Sequence, residues 1–162
     1  MIAPCTEAHI PAIFAIVNDA AQAYRGHVPD DCLHEPYMSE AELRGEVAAG
    51  VRFFGWFEDG ELLGVMGIQD VQDVTLVRHA YVATCARRGG IGGKLLKHLQ
   101  TLTDRPLLVG TWRAATWAIG FYARHGFSLV DEAEKTVLLR KYWRISERQS
   151  ETSVVLRYAI TA

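Results

Sequence analysis

Residues 87–99 read RRGGIGGKLLKHL. Two arginines and four glycines stand directly before Leu95, Leu99 and Leu102, which share one face of a helix. Glycine is entropically costly at a helix start, so four of them call for a reason. Unpaired N–H groups and the positive end of the macrodipole make a helix N-terminus an anion site. Glycines without β-carbons let a phosphate approach the backbone closely. The stretch therefore reads as a phosphate-binding loop running into an amphipathic helix.

The segments before it alternate as strands do. VRFFGWF (51–57) and ELLGVMGIQ (61–69) flank Glu58-Asp59-Gly60, and Asp-Gly is a preferred tight-turn pair. VTLVRHAYV (74–82) is rich in β-branched and aromatic residues and completes three consecutive antiparallel strands. Nearer the N-terminus, Ile10, Ile13, Phe14, Val17 and Ala21 predict a helix over 6–21 with Thr6 as its N-cap. Ser39 and Glu42 form a capping-box pattern for a second helix that Gly50 ends. Between these helices QAYRGHVPDDCLHEPYM (22–38) lacks periodicity and reads as a long loop, a kind of segment that often carries function.

Downstream, PLLVGTW (106–112) predicts a short buried strand and AATWAIGFYARHG (114–126) a helix stopped by Gly126. Asp131 and Glu134 open a further helix to about Trp143, SERQSETS is polar, and TSVVLRY (152–158) predicts a closing strand. With neither repeat nor linker in view, the expectation is a single α/β (α+β) domain over 1–162, with a helix-and-strand extension over 131–162.

Composition narrows the chemistry. The chain has 162 residues, 49% hydrophobic and 22% charged, which suits a packed domain rather than a disordered one. Its net charge of −2 supplies no global field for nucleic acid. No apolar run approaches a membrane span, and MIAPCTEAHIPAIF lacks a basic region ahead of a signal-like segment. Cys5, Cys32 and Cys85 form neither a disulfide framework nor a metal pair, so a cytoplasmic protein without metal is expected. A homodimer is compatible with these residues and not required by them.

Two phosphate loops fail against the letters. A dinucleotide fingerprint needs a third glycine where Leu95 stands. A Walker A loop needs glycine where Arg88 stands and Ser or Thr where Leu95 stands. The pattern met is R-x-x-G-x-G, through Arg87, Gly90 and Gly92. It resembles the pyrophosphate loop of the GNAT superfamily of N-acetyltransferases, and AIGFYARHGF (118–127) is similar to that family's A-x-x-F-Y-x-x-x-G-F segment. The two motifs and the strand order cover roughly residues 1–130.

This resemblance implies a mixed, mostly antiparallel central sheet with helices on both faces. It implies acetyl transfer from acetyl-CoA, as co-substrate, to a primary amine of a small molecule or peptide by direct attack in a ternary complex. Arg87, Arg88, Gly89, Gly90, Ile91, Gly92, Gly93 and Lys94 would hold the pyrophosphate, and Tyr81, Val82 and Ala83 would run beside the pantetheine arm. A backbone N–H at the strand end would stabilise the oxyanion. Tyr122 would protonate the departing thiolate, since a phenol stays protonated at neutral pH; its other reading is a core aromatic. His79 is the candidate base, or else a packed strand residue. Tyr24, Asp31, Glu35 and Tyr37 in the long loop are the candidate acceptor residues, suited to a cationic amine; the alternative is a solvated loop. A family Asn before the second motif is missing, with Arg113 and Thr116 in its neighbourhood. A non-catalytic acyl-CoA sensor on the same fold would keep the glycine loop and need no Tyr122.

Overall fold

The computed structural model describes residues 1–87 and 89–158. The chain begins with β1 (Ile2–Pro4), then a 3-10 turn at Glu7–His9 and α1 (Ile10–Ala20). The helix expected over 6–21 thus starts four residues late. Pro11 explains the break, because a residue without N–H fits the first helical turn and no later one. The loop that follows holds two 3-10 turns, at Ala21–Tyr24 and Asp30–Cys32. In α2 (Glu40–Ala48), Ser39 accepts from the Glu42 N–H at 3.0 Å, so the expected cap forms.

A meander follows: β2 (Arg52–Glu58), β3 (Glu61–Val71) and β4 (Val74–Val82). Asp59 and Gly60 both take positive φ at the first turn, the geometry an Asp-Gly hairpin needs. After the glycine loop come α3 (Ile91–Gln100), β5 (Leu107–Trp112), α4 (Thr116–Arg124) and the short β6 (Phe127–Leu129). The chain closes with α5 (Glu132–Tyr142), α6 (Glu147–Glu151) and β7 (Ser153–Tyr158). Sequence patterning does not reveal β6 or α6. Three residues are too few for an alternation, and α6 is polar throughout.

The seven strands form one sheet in the order β1-β2-β3-β4-β5-β7-β6. Every pairing is antiparallel except β4 with β5. Helices cover both faces, as the resemblance implied. On one face Ile10, Ile13 and Val17 of α1 and Leu43 of α2 pack against Phe53 and Val65. On the other, Leu95, Leu96 and Leu99 of α3 and Tyr122 of α4 pack against Met66, Val77 and Val109. Strand residues alternate between these two cores, so each face buries a separate set of side chains.

Candidate active site

The only parallel pairing among the described residues runs from Thr75–Leu107 to Val77–Val109 and stops there. Beyond it β5 pairs with β7 through Trp112, and β4 stays with β3 to Val82. The two strands diverge, and a wedge opens between Arg78–Val82 and Gly110–Trp112. Ala83 N–H donates to Leu63 O of the β3 segment at 2.8 Å. Backbone direction alternates along a strand, so the Val82 N–H points the other way, into the wedge. Val82 thus presents an unpaired strand edge, next to Tyr81 and Ala83, along which the family resemblance implies the pantetheine arm would run.

A β-bulge gives β4 its bend. Val65 faces Tyr81 and Gly67 faces Arg78, so one additional residue is accommodated on β4. His79 takes it up with φ 54°, an uncommon conformation for a side-chain-bearing residue. Arg78 and His79 consequently point to the same face and both meet Glu46 of α2, at 3.2 and 3.5 Å. His79 Nε2 is buried, its nearest polar neighbour among the described residues is the Glu46 carboxylate at a distance too long and poorly aligned for a full hydrogen bond, and its ring stacks on Phe53. The imidazole beside Glu46, together with the Arg78 charge, holds the Glu46 carboxyl below the usual carboxylate range against the opposing effect of burial. Tyr122 lies in the α3–α4 core, so the structure does not bring His79 and Tyr122 together.

At one end of the wedge, Gly90 is the N-cap of α3 with φ 74° and supplies no capping side chain. Lys94 N–H bonds Gly90 O at 3.1 Å, which leaves the N–H groups of Ile91, Gly92 and Gly93 without helical acceptors. A Cβ at Gly90 would meet nothing within 4 Å, and one at Gly89 would make ordinary contacts. The outer side of the turn is therefore open to an anion, and these residues fit a pyrophosphate. The charged groups are placed less simply. Arg87 donates to Ala20 O at 3.4 Å, at the C-terminal end of α1. Lys94 lies over the Trp56 ring, 4.7 Å from its centroid. Arg88 lies outside the described residues.

Tyr122 is buried, edge-on to Phe121 and Phe127 at 5.2 and 5.4 Å. Loss of solvent raises its phenol well above the ordinary range, so the side chain stays protonated at neutral pH. Across the wedge from β4, Trp112 donates from Nε1 to Tyr37 Oη at 2.9 Å, and Tyr24 Oη donates to Tyr81 Oη at 3.2 Å. Burial raises the Tyr24 phenol too, with the nearby Tyr37 and Tyr122 adding to the effect. Trp117, 43% exposed, stacks on Tyr24 and makes a T-shaped contact with His27. Two of the four expected acceptor residues, Tyr24 and Tyr37, thus converge on the wedge.

The two carboxylates are held elsewhere. Asp31 is gripped by Arg148 of α6, at 2.9 and 3.2 Å, and Glu35 pairs with Arg25. Neither is a free anion awaiting an ammonium. Where a family Asn is missing, the Arg113 N–H donates to Thr152 O at 2.7 Å and its guanidinium pairs with Glu132. Sequence reasoning gave no role to Glu46, Arg148 or His125, and placed Phe121 only within the A-x-x-F-Y motif. For Phe121 and His125, the i,i+4 spacing on α4 was an available signal.

Residues 17–137 match the family model described as an acetyltransferase (GNAT) domain. The chain belongs to the GNAT acetyltransferase family. The peptidyl-lysine N-acetyltransferase YiaC of Escherichia coli strain K12 is 32% identical over 101 residues, which is 62% of each chain. PaiA N-acetyltransferase from Thermoplasma acidophilum, solved in complex with coenzyme A, superposes with a TM-score of 0.74 at 14% identity, covering 98% of this chain and 97% of that one. The Escherichia coli ribosomal-protein-S18-alanine N-acetyltransferase does so at 0.69 and 16% identity, covering 100% and 94%. At such identities these two likenesses show the GNAT fold. No helix among the described residues is long and apolar enough to cross a membrane.

Proposed function

We propose that this chain transfers an acetyl group from acetyl-CoA to a primary amine of a small molecule or peptide, by direct attack in a ternary complex. The observation that carries the reading is the uncapped N-terminus of α3 beside the wedge that separates β4 from β5. In this reading the N–H groups of Ile91, Gly92 and Gly93 bind the pyrophosphate, with the backbone of Gly89 and Gly90 leaving it room. The open edge of β4 pairs with the pantetheine amides as an added strand would, and the Val82 N–H stands where an oxyanion would develop. Tyr122 supplies the proton to the departing thiolate. A phenol is protonated at neutral pH and can give that proton to the thiolate as it leaves.

The acceptor enters against Tyr24, Tyr37 and Trp117. His79 is given no part in proton removal, because its Nε2 faces Glu46 and Phe53. A lysine-containing peptide is the acceptor class to test first, supported by the likeness to a peptidyl-lysine N-acetyltransferase. We place the reaction in the cytoplasm, a reading supported by Cys5, Cys32 and Cys85 being free thiols. The residue span 1–162 is read as one acetyltransferase domain.

The test is release of CoA thiol from acetyl-CoA in the presence of an N-terminally blocked lysine peptide and a panel of small primary amines. Acceptor-dependent release supports transfer. Tight acetyl-CoA binding with no release above the hydrolytic background for any acceptor would instead identify a sensor.

A further inference from the structure

Residues 130–152 are inserted between β6 and β7, strands that are themselves paired. The insertion carries α6, and α6 is firmly attached to the body of the protein. Lys135 of α5, its side chain 7% exposed, donates to Ser150 O at 3.0 Å and pairs with Glu132 at 2.9 Å. Glu132 also holds Arg113, whose N–H reaches Thr152 O just after α6. Ser146 caps the helix by accepting from Gln149 N–H, and Ser153 Oγ donates to Gln149 O at 2.6 Å. Burying the Lys135 ammonium is tolerable because each such contact compensates its lost hydration.

From this fixed helix Arg148 reaches the loop between α1 and α2. Its Nε donates to Asp31 Oδ2 and its Nη2 to Asp31 Oδ1, the fork geometry that only a guanidinium provides. The next residue, Cys32, sets its thiol 4.0 Å from the Thr152 hydroxyl. The same loop carries Tyr24 and Tyr37, which bond Tyr81 and Trp112 on opposite sides of the wedge. We propose that Arg148 is a positioning residue for the acceptor site, latching the wall that bears Tyr24 and Tyr37 to the C-terminal insertion. The acceptor part of this inference rests on the acetyl-transfer reading; the latch itself does not. It gives residues 130–152 a role that the sequence left unassigned, and it removes Asp31 from the groups that contact an amine.

The pair is half-exposed, so its effect is modest and weakens with salt. The experiment uses the full chain with Arg148→Ala, Asp31→Ala, Arg148→Lys and the exchanged pair Arg148→Asp/Asp31→Arg. Amide hydrogen exchange over residues 22–38 should rise about two- to fivefold in both alanine variants, the change expected from an exposed ion pair. Exchange in α3 and acetyl-CoA affinity by calorimetry should stay unchanged. The KM for the blocked lysine peptide should rise by a similar factor while kcat holds. The exchanged pair should restore both readouts. Lysine should restore them in part, since a point charge cannot fork.

Unchanged exchange over 22–38 in Arg148→Ala overturns the latch, as does failure of the exchanged pair to restore it. Loosened exchange with an unaltered peptide KM overturns the acceptor role. If the unaltered chain releases no thiol with any acceptor, the transfer reading and the acceptor role fall together, and the exchange data alone decide the latch.

Discussion

Gly93 and His125 are seated so closely that a Cβ on residue 93 would fall 2.9 Å from His125 Nε2. His125 Nδ1 lies 2.8 Å from Phe121 O, and a carbonyl can only accept, so Nδ1 carries a proton. Phe121, one turn earlier, would lie 3.4 Å from a Cβ on Gly92. The glycines of the loop therefore divide their work. Gly90 supplies the positive φ of the cap, while Gly92 and Gly93 admit side chains of α4. The glycine loop and the helix bearing Tyr122 are packed as one unit.

Gly93→Ala should consequently act through packing. The new methyl meets the His125 ring, whose hydrogen bond to Phe121 limits its retreat. Crowding of this kind costs typically 1–3 kcal/mol, so thermal denaturation should show a lower Tm. Acetyl-CoA affinity should fall with it, because the first turn of α3 shifts.

Gly89→Glu should do the reverse. Residue 89 has room for a side chain, and a carboxylate near a helix N-terminus favours the fold by roughly 0.3–1 kcal/mol. The same charge repels a pyrophosphate. Tm should hold or rise while acetyl-CoA affinity drops about tenfold or more, the size of a single unfavourable charge contact of ~1.4 kcal/mol. Calorimetry showing unchanged affinity would remove the loop from the site.

Tyr122→Phe should leave acetyl-CoA affinity nearly intact and lower kcat by about 10²–10⁴-fold, the range of general acid catalysis. The variant keeps the ring that packs on Phe121 and Phe127, so its Tm should change little. Wild-type turnover with chemistry rate-limiting would place the proton donor elsewhere.

Tyr37→Phe separates the acceptor wall from a loop facing only water. It leaves the Trp112 Nε1–H without the acceptor it now has at 2.9 Å, and an unmet buried donor costs about 1–3 kcal/mol. Glu35→Gln should change neither stability nor the acceptor KM appreciably, since Glu35 and its partner Arg25 are both largely exposed. Urea denaturation and steady-state kinetics on the two variants check the contrast.

The Glu46 carboxyl gives a pH dependence of definite sign. Its folded pKa lies below the ordinary value, chiefly through the His79 ring, so its contribution to stability is complete above the ordinary carboxylate range. That contribution disappears as pH falls through the depressed folded value. Glu46→Gln should lose it at neutral pH, by on the order of 1–3 kcal/mol for a charged hydrogen-bonding group in a largely buried network, and should flatten the acid limb of Tm against pH. An acid limb identical to the unaltered protein's would remove the pair from the stability of the β4 bulge.

The elements that repeat a local pattern were legible in the letters. The hairpin at Asp59-Gly60, the capping box at Ser39 and Glu42, and the glycine loop before α3 each depend on residues within a few positions of one another. Patterning failed where a segment was short or lacked an apolar face, as in β6 and α6. Candidate residues divided in the same way. Gly90, Tyr122 and Tyr37 came from motif spacing or from a loop conspicuous for its irregularity. The partners of His79, Asp31 and Gly93 did not.

Local sequence thus determined the strands, the caps, the turn with positive φ and the helix start that an anion can approach. Tertiary structure alone decided that β4 bulges at His79 and parts from β5, because a bulge and a splay are relations between strands. It also decided that Asp31 is held by a residue 117 positions away and that Phe121 and His125 rest on Gly92 and Gly93. Charge and close packing act through space at contact range, and chain separation says nothing of which side chains will come within it.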